Sequence, residues 1–486
     1  MKEKNRWMTS KQIRHRLLIW IVLGVLSLLF AACNSPKVVI NVNNTAPRAE
    51  ALSDDWSMYL ANNARSGYDG AKNLTAASAS GLKIHWKDQA GGSISAQPLE
   101  VNGLIYWGSW DGYEHATNMS GNQVWQTNIG KTTNGACLPP TVGVASTATV
   151  VSLPIQGKST PVVLVGGGDH HFYALNALTG KVLWKTALGT SPNQFIWSSP
   201  AVYKGSVYIG LASFGDCPLV QGQFFQLDTT TGKIEHTFDV VPPGCLGGTV
   251  WSSPAINEAK GTIYVGTSEP DTCKQKERYA AALLELSASD LNLVDYWQLP
   301  LPLQTSNGDF GSTPTLFQVT VGGTKQDMVG ILNKNGSYYA FQQDALSKGP
   351  VWTATVAAPA VCPQCGDGNV APAAWDGSML YIAAGNIPVN EQKCLASLRA
   401  VDPTTGVSLW QVCLQDGPVL GAVTVIPGMV IIGEGAHLLV FASDTGHQLF
   451  NFTDTTPHAV FYAPASISLG VIYIGDSAGT LYAFSI

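Results

Sequence analysis

The sequence predicts an all-β chain: an eight-bladed β-propeller of four-stranded antiparallel blades, closed by an N-terminal strand in the last blade. Three observations lead there. A unit of apolar runs punctuated by a Thr-Gly turn recurs along the chain. Charged residues make up only 12% of the 486, about half the share in an average globular chain. The strand missing from the last unit stands at the front of the first.

One unit reads Val162-Val163-Leu164-Val165, Gly166–Gly168, Phe172-Tyr173-Ala174-Leu175-Asn176, Thr179-Gly180-Lys181 and Val182-Leu183-Trp184. Later copies pass through Phe225-Gln226-Leu227-Asp228 with Thr231-Gly232, Leu398-Arg399-Ala400-Val401-Asp402 with Thr405-Gly406 and Trp410, and Leu439-Val440-Phe441 with Thr445-Gly446. Alternating apolar runs make strands. The Thr-Gly pair supplies a tight turn with Gly at positive φ. The Trp that ends a unit offers a large apolar face for packing between neighbouring sheets. Eight units are readable, with first strands near residues 98, 161, 201, 255, 314, 372, 422 and 465. The last ends at Leu481-Tyr482-Ala483-Phe484 without its Trp-bearing strand, and Leu82-Lys83-Ile84-His85-Trp86 supplies one from the other terminus. Closure of that kind fits a ring and disfavours an open solenoid. Residues 53–486 therefore form one domain, although length alone would suggest two or three.

Composition narrows the partners. The first 33 residues hold six Lys/Arg and one Glu, so with a total of −6 the remainder carries −11. An acidic chain without basic runs is not built to neutralise phosphates, which excludes nucleic acid as a partner.

Residues 1–33 read as an export leader. Lys2, Lys4, Arg6, Lys11, Arg14 and Arg16 precede an apolar stretch from Leu17 to Phe30, which ends in Ala31-Ala32-Cys33. Small residues before a Cys resemble the bacterial lipobox, which implies lipidation of Cys33 and a membrane tether; a plain cleaved signal or a single anchor are the alternatives. All three place the rest outside the cytoplasm. Residues 34–52 are a polar tether. Beyond Cys33 stand eight further Cys, at 137, 217, 245, 273, 362, 365, 394 and 413. An even number in an exported chain favours disulfides. Cys394 and Cys413 flank a hairpin at Asp402–Gly406 and face each other across two strands on this reading. Cys362-Pro-Gln-Cys365 lacks a following His, so it is not a haem attachment site, and it reads as a structural bridge.

The unit Tyr173-Ala174-Leu175-Asn176 to Thr179-Gly180-Lys181 to Trp184 resembles the tryptophan-docking repeat of quinoprotein propellers, the family that binds pyrroloquinoline quinone (PQQ). With Asn63-Ala64-Arg65-Ser66-Gly67-Tyr68 and Trp107-Gly108-Ser109-Trp110-Asp111-Gly112, the pattern looks closest to the polyvinyl-alcohol-dehydrogenase-like members. The same repeat occurs in lipoprotein propellers of outer-membrane protein assembly, which bind no cofactor, so the repeat implies a fold and the site residues must supply the chemistry.

Within the resemblance, Gly247-Gly248-Thr249-Val250-Trp251 matches the segment whose Trp lies flat under the quinone, with Thr249 bonding a cofactor carboxylate. Asn307-Gly308-Asp309-Phe310-Gly311 matches the segment of the catalytic Asp, so Asp309 is implied as the base that takes the alcohol proton while hydride moves to the quinone. Asn333-Lys334-Asn335-Gly336 places Lys334 at the quinone oxygens, and Asn369 is the remaining cofactor match. For Ca²⁺ the implied ligands are Asp216 and Glu269, oxygen donors suited to a hard cation. Both depart from the family: Cys217 stands where its Glu belongs, and Glu269 where it has Asn. On the bland alternative Cys217 simply bridges to Cys245 or Cys273. The family's pair of adjacent Cys above the ring is missing, since Cys137 is single.

Two readings result. One is an exported, tethered PQQ-dependent alcohol dehydrogenase taking secondary or polymeric alcohols and passing electrons to an external acceptor. The other is a non-catalytic propeller lipoprotein binding envelope proteins or glycans.

Overall fold

The computed structural model describes residues 54–70, 73–273, 276–304, 308–360 and 369–486. The leader, the tether, Cys33 and the Cys362/Cys365 pair lie outside the described residues. Among the described residues eight antiparallel blade sheets follow one another along the chain, seven with four strands and one with a short fifth strand, Gln194–Phe195, beside a two-stranded ribbon of Thr132–Thr133 with Thr141–Val142. Their first strands are Leu99–Val101, Thr149–Ile155, Ala201–Tyr203, Ala255–Asn257, Thr315–Val321, Ala374–Trp375, Thr424–Ile426 and Ser466–Ser468, which we number as blades 1 to 8. Lys83–Gln89 completes blade 8 by pairing antiparallel with Thr480–Ser485, from Lys83 opposite Ser485 to Gln89 opposite Thr480. The eight-bladed ring with N-terminal closure is thus the observed fold.

One sequence expectation needs correction. The first strand of blade 2 is Thr149–Ile155, not the run near 161, which belongs to the second strand Lys158–Gly166. A tight turn at Gln156-Gly157, both at positive φ (50° and 75°), joins them. Val162–Val165 is the more apolar run because it lies in the middle of the blade, buried on both faces, whereas the first strand is only partly covered.

The turn glycine and the Trp are two halves of one joint. Trp125 donates its indole N–H to Ala177 O at 2.8 Å in the next blade, and a Cβ on Gly180 there would lie 2.7 Å from the Trp125 ring. The same dock recurs as Trp184 on Gly232, Trp352 on Gly406, Trp410 on Gly446 and, across the ring closure, Trp86 on Gly121. Each indole N–H reaches a carbonyl of the neighbouring hairpin, at 2.8 to 3.2 Å. Glycine is required here twice, for its positive φ (69° at Gly180) and for the space the indole occupies.

The chain before blade 1 crosses the ring axis. Trp56 N–H bonds Glu100 O of blade 1 and Ser57 O accepts from Val150 N of blade 2. Further on, Asn63, Ala64, Ser66 and Gly67 carbonyls accept from Ile256, Leu316, Trp375 and Val425, the first strands of blades 4 to 7. Arg65, fully buried, donates to Tyr59 O (2.6 Å), Pro254 O (2.8 Å) and Pro200 O (2.9 Å). This strap gives the segment Asn63–Tyr68 a structural reason: it closes one end of the central channel. Cys394 pairs with Cys413 as expected, and among the described residues Cys137 pairs with Cys217 and Cys245 with Cys273. The alternative bridge from Cys217 to Cys245 or Cys273 is therefore replaced by one across a sequence separation of 80.

Two measurements test these joints. Gly180→Ala should destabilise by about 2–4 kcal/mol, through lost left-handed backbone and overpacking of Trp125. Gly157→Ala, at φ 75° with open space around it, should cost only the backbone part, roughly 1–2 kcal/mol; equal losses in denaturant melts would refute the dock. Asp476 and Asp454 meet between blades 8 and 7, and burial followed by Asp454 pushes Asp476 up to about 7 from its ordinary 3.8. Ionising it costs more in the fold than in the unfolded chain, so this term is lost as pH rises from about 4 through about 7. Asp476→Asn should flatten the fall in melting temperature over that window, and an unchanged slope would contradict the assignment.

Candidate functional site

The site lies in the channel end left open by the strap. Residues two apart just before each first strand face the axis, because a strand presents alternate side chains to one side. They are Ala145/Thr147, Trp197/Ser199, Trp251/Ser253, Gly311/Thr313, Val370/Pro372, Leu420/Ala422 and Tyr462/Pro464, from blades 2 to 8. Together with Tyr59 of the strap and the loops above, they enclose a cavity of about 340 Å³. The well is blind, and its lining follows the repeat.

Trp251 packs its six-membered ring against Gly311 of the next blade, where a Cβ would come within 2.1 Å of it. Gly311 precedes a first strand and is not a hairpin-turn glycine, so Trp251 is not an inter-blade docking Trp. Its indole N–H points to Asp309 Oδ2 at 3.2 Å, and the Lys334 ammonium bonds that oxygen at 2.8 Å while standing 5.1 Å from the Trp251 ring centre. Glu269 N–H reaches Asp309 Oδ1 at 3.2 Å. Asp309 and Lys334 are only 2% and 3% exposed, so the pair is strongly coupled. Burial alone would raise Asp309, but the charge of Lys334 and hydrogen bonds from Glu269 and Lys334 outweigh it and hold the carboxyl below its usual range. Burial opposes the charge on Lys334, yet Asp309 raises it above the ordinary lysine value.

Two more carboxyl groups approach this pair. Burial and then Asp309 push Glu269 far above the carboxylate range, and its Oε2 is buried without a hydrogen-bond partner among the described residues. Asp216 lines the well at positive φ (58°) and is pushed up to about 6, by burial first and Asp309 second. Thr249 lines the well with its hydroxyl on Ser268 Oγ at 3.0 Å. Asn369 does not reach the wall. Its amide donates to Lys334 O (3.2 Å) and Ala358 O (2.8 Å) and accepts from Gly385 N (3.1 Å), so all its polar atoms are engaged behind Lys334. In this structure Asn369 thus stands as a brace behind Lys334.

The sequence reading missed the upper wall. The Cys137–Cys217 disulfide ties the loop carrying Leu138 and Pro139 to the loop carrying Phe214 and Asp216. Phe195, Phe214, Trp197 and Trp110 pack beside it, with Trp110 edge-on to Trp197 at 6.3 Å. Trp197 was legible in principle: Trp197-Ser-Ser-Pro200 repeats Trp251-Ser-Ser-Pro254 one blade earlier. The bridge was not, because its partners are remote in sequence. Trp297 supplies a further support. It packs against Phe310 (6.3 Å) and Tyr339 (5.2 Å), which flank Asp309 and the Lys334 hairpin.

An eight-bladed propeller with a buried acid–lysine pair beside a flat indole at its axis has the architecture of a quinoprotein-type propeller. A PQQ-repeat family model, described as "Outer membrane protein assembly factor BamB", matches residues 111–374 and 344–486, and the chain belongs to that family. A polyvinylalcohol dehydrogenase of Pseudomonas sp is 23% identical over 82% of this chain and 67% of that protein. A quinohemoprotein alcohol dehydrogenase of Comamonas testosteroni is 24% identical over 64% of this chain; the chain spans only 48% of that relative. The crystal structure of a quinohemoprotein alcohol dehydrogenase from that species superposes with a TM-score of 0.71 at 18% identity, covering 89% of this chain and 80% of that one. That likeness shows the fold.

The alcohol dehydrogenase relatives imply PQQ, with Ca²⁺ common beside it. The well fits a flat, anionic ring: it has an indole face held in place by Gly311, the Lys334 cation at its edge and the Thr249 hydroxyl. For a cation, the donors are hard oxygens and Glu269 Oε2 is an orphan. The ligand atoms of Asp216, Glu269 and Asp309 do not, however, lie within 4.8 Å of one another. Among the described residues only Cys245, Cys273 and Glu277 meet that spacing, and two of these form a disulfide.

The pair makes a direct prediction. Lys334→Met leaves Asp309 buried and unpaired and should cost about 3–5 kcal/mol. Adding Asp309→Asn should recover most of it in chemical melts; additive losses would show that the two do not interact.

Proposed function

We propose that the protein is a quinoprotein alcohol dehydrogenase whose reaction takes place in this well, with PQQ on Trp251. The observation that supports it is the Asp309–Lys334–Trp251 constellation: 2.8 Å from ammonium to carboxylate and 3.2 Å from indole to carboxylate, buried in the wall of the well. Trp251 would offer the stacking face, while Lys334 and Thr249 would hold anionic oxygens of the cofactor. When bound, the quinone supplies a two-electron acceptor for the hydride of an alcohol carbon. Asp309, ionised because Lys334 holds it so, accepts the hydroxyl proton at Oδ1 or Oδ2. Lys334 then stabilises negative charge beside it in a site shielded from water. Glu269 and Asp216 are the oxygen donors that would serve Ca²⁺, which would have to draw them closer than the spacing seen here. Trp110, Trp197, Leu138 and Tyr462, which also line the well, carry no charge, and such a lining suits neutral secondary or polymeric alcohols. On this reading the protein is exported, tethered at Cys33, and passes electrons to a separate acceptor.

The test is reconstitution of the full chain. PQQ with Ca²⁺ should quench tryptophan fluorescence, add quinone absorbance and support dye reduction by a secondary alcohol or polyvinyl alcohol. Asp309→Asn should keep PQQ uptake and lose turnover by about 10²–10⁴-fold. No uptake at stoichiometric protein would sink the proposal in favour of a binding scaffold at the envelope.

A further inference from the structure

Beneath the acid–lysine pair, the floor of the well carries a second arrangement that the quinone reading leaves unused. Four hydroxyls run around the axis from blade 2 to blade 5, each fixed by a backbone N–H of the preceding blade. Gln97 N–H bonds Thr147 Oγ1 at 2.7 Å and Thr147 N–H bonds Ser199 Oγ at 3.0 Å. Ser199 N–H bonds Ser253 Oγ at 2.9 Å and Ser253 N–H bonds Thr313 Oγ1 at 3.1 Å. All four residues line the well. Accepting an N–H polarises a hydroxyl and makes its own O–H a stronger donor. Among the described residues, Thr147, Ser199 and Ser253 have no protein acceptor for that hydrogen. Thr313 stands near the Tyr59 phenol, and Tyr59 also lines the floor.

The charge beneath has the complementary sign. The Arg65 guanidinium carbon lies 5.7 Å from the Tyr59 ring centre, and the side chain is wholly buried. It bonds only backbone carbonyls, of Tyr59, Pro200 and Pro254, and no carboxylate pairs with it among the described residues. A buried cation without a counter-ion is costly, and an anion near it is favoured. On the other half of the circle, Pro372, Ala422 and Pro464 occupy the equivalent positions. A floor with hydroxyl donors on one side and apolar groups on the other suits a weakly hydrated, polarisable ion. The strongly hydrated phosphate or sulfate would want charged side chains in contact.

The geometry points to a halide site at the base of the well: a chloride or bromide ion held by the hydroxyls of Thr147, Ser199 and Ser253, under the field of Arg65. It does not depend on quinone binding, and its test needs no cofactor.

The full chain, free of PQQ, is crystallised and soaked in sodium bromide. An anomalous peak at the axis, within contact of the Ser199 and Ser253 hydroxyls, is the expected result; ordered water alone at that position overturns the site. In solution, chloride should raise the melting temperature above that in gluconate at equal ionic strength. The Ser199→Ala/Ser253→Ala double variant should lose that difference. If the variant proves too unstable to melt cleanly, the wild-type bromide map still decides. An equal halide effect in wild type and a folded variant would place the ion elsewhere and refute the proposal.

Discussion

Everything at the axis depends on how one blade is set against the next, and that is decided by an indole lying on a glycine. At five joints the Trp of an outer strand covers the turn glycine of the following blade and bonds its hairpin carbonyl. The contact is a large apolar burial combined with a single directed hydrogen bond, so it fixes distance and rotation together. Repeated around a closed ring, small errors cannot accumulate, since the strand Lys83–Gln89 must still pair with Thr480–Ser485.

The dock lapses at three joints: between blades 7 and 8, where Phe450 stands in place of a Trp, and at two beside the site. Blade 3 ends without a Trp, and Tyr208 reaches Ala288 O across the joint at 2.5 Å instead. Between blades 4 and 5 the available Trp297 turns to Phe310, Tyr339 and Phe341, and Lys260 bridges Asp344 and Asp327 at 2.6 and 3.0 Å. Freed from docking, Trp297 backs the segment that carries Asp309. The strap adds a second constraint, because the Arg65 guanidinium bonds both Pro200 and Pro254. These prolines end the two Trp-Ser-Ser-Pro segments, so one side chain sets the spacing of Trp197 and Trp251. The result is a well closed below, firm on the blade 4 and 5 side, and roofed by loops that a disulfide joins.

Much of this was legible along the chain. Turn glycines, alternating runs and terminal Trp gave the blades, and the displaced Trp86 strand gave the closure, because they are local patterns repeated in phase. Trp251 was separable from the docking Trp by its place before a first strand. Asp309 and Lys334 stood in recognisable local contexts. Blade 2 was misphased because its most apolar run lies in the middle of the sheet, where both faces are covered, and the true first strand is partly exposed. Asn369 sat in the right segment, but its three backbone partners come from elsewhere in the fold and turn it into a brace.

Sequence by itself determined the class of fold, the ring closure and the residue types at the axis, since each follows from a short-range period that a strand or turn must obey. Only the tertiary structure decided which of those residues meet. The 2.8 Å contact of Lys334 with Asp309, the Cys137–Cys217 roof and the strap's grip on six blades join residues 25, 80 and up to several hundred positions apart. Such contacts depend on blade-to-blade packing, which sets distance in space independently of distance along the chain.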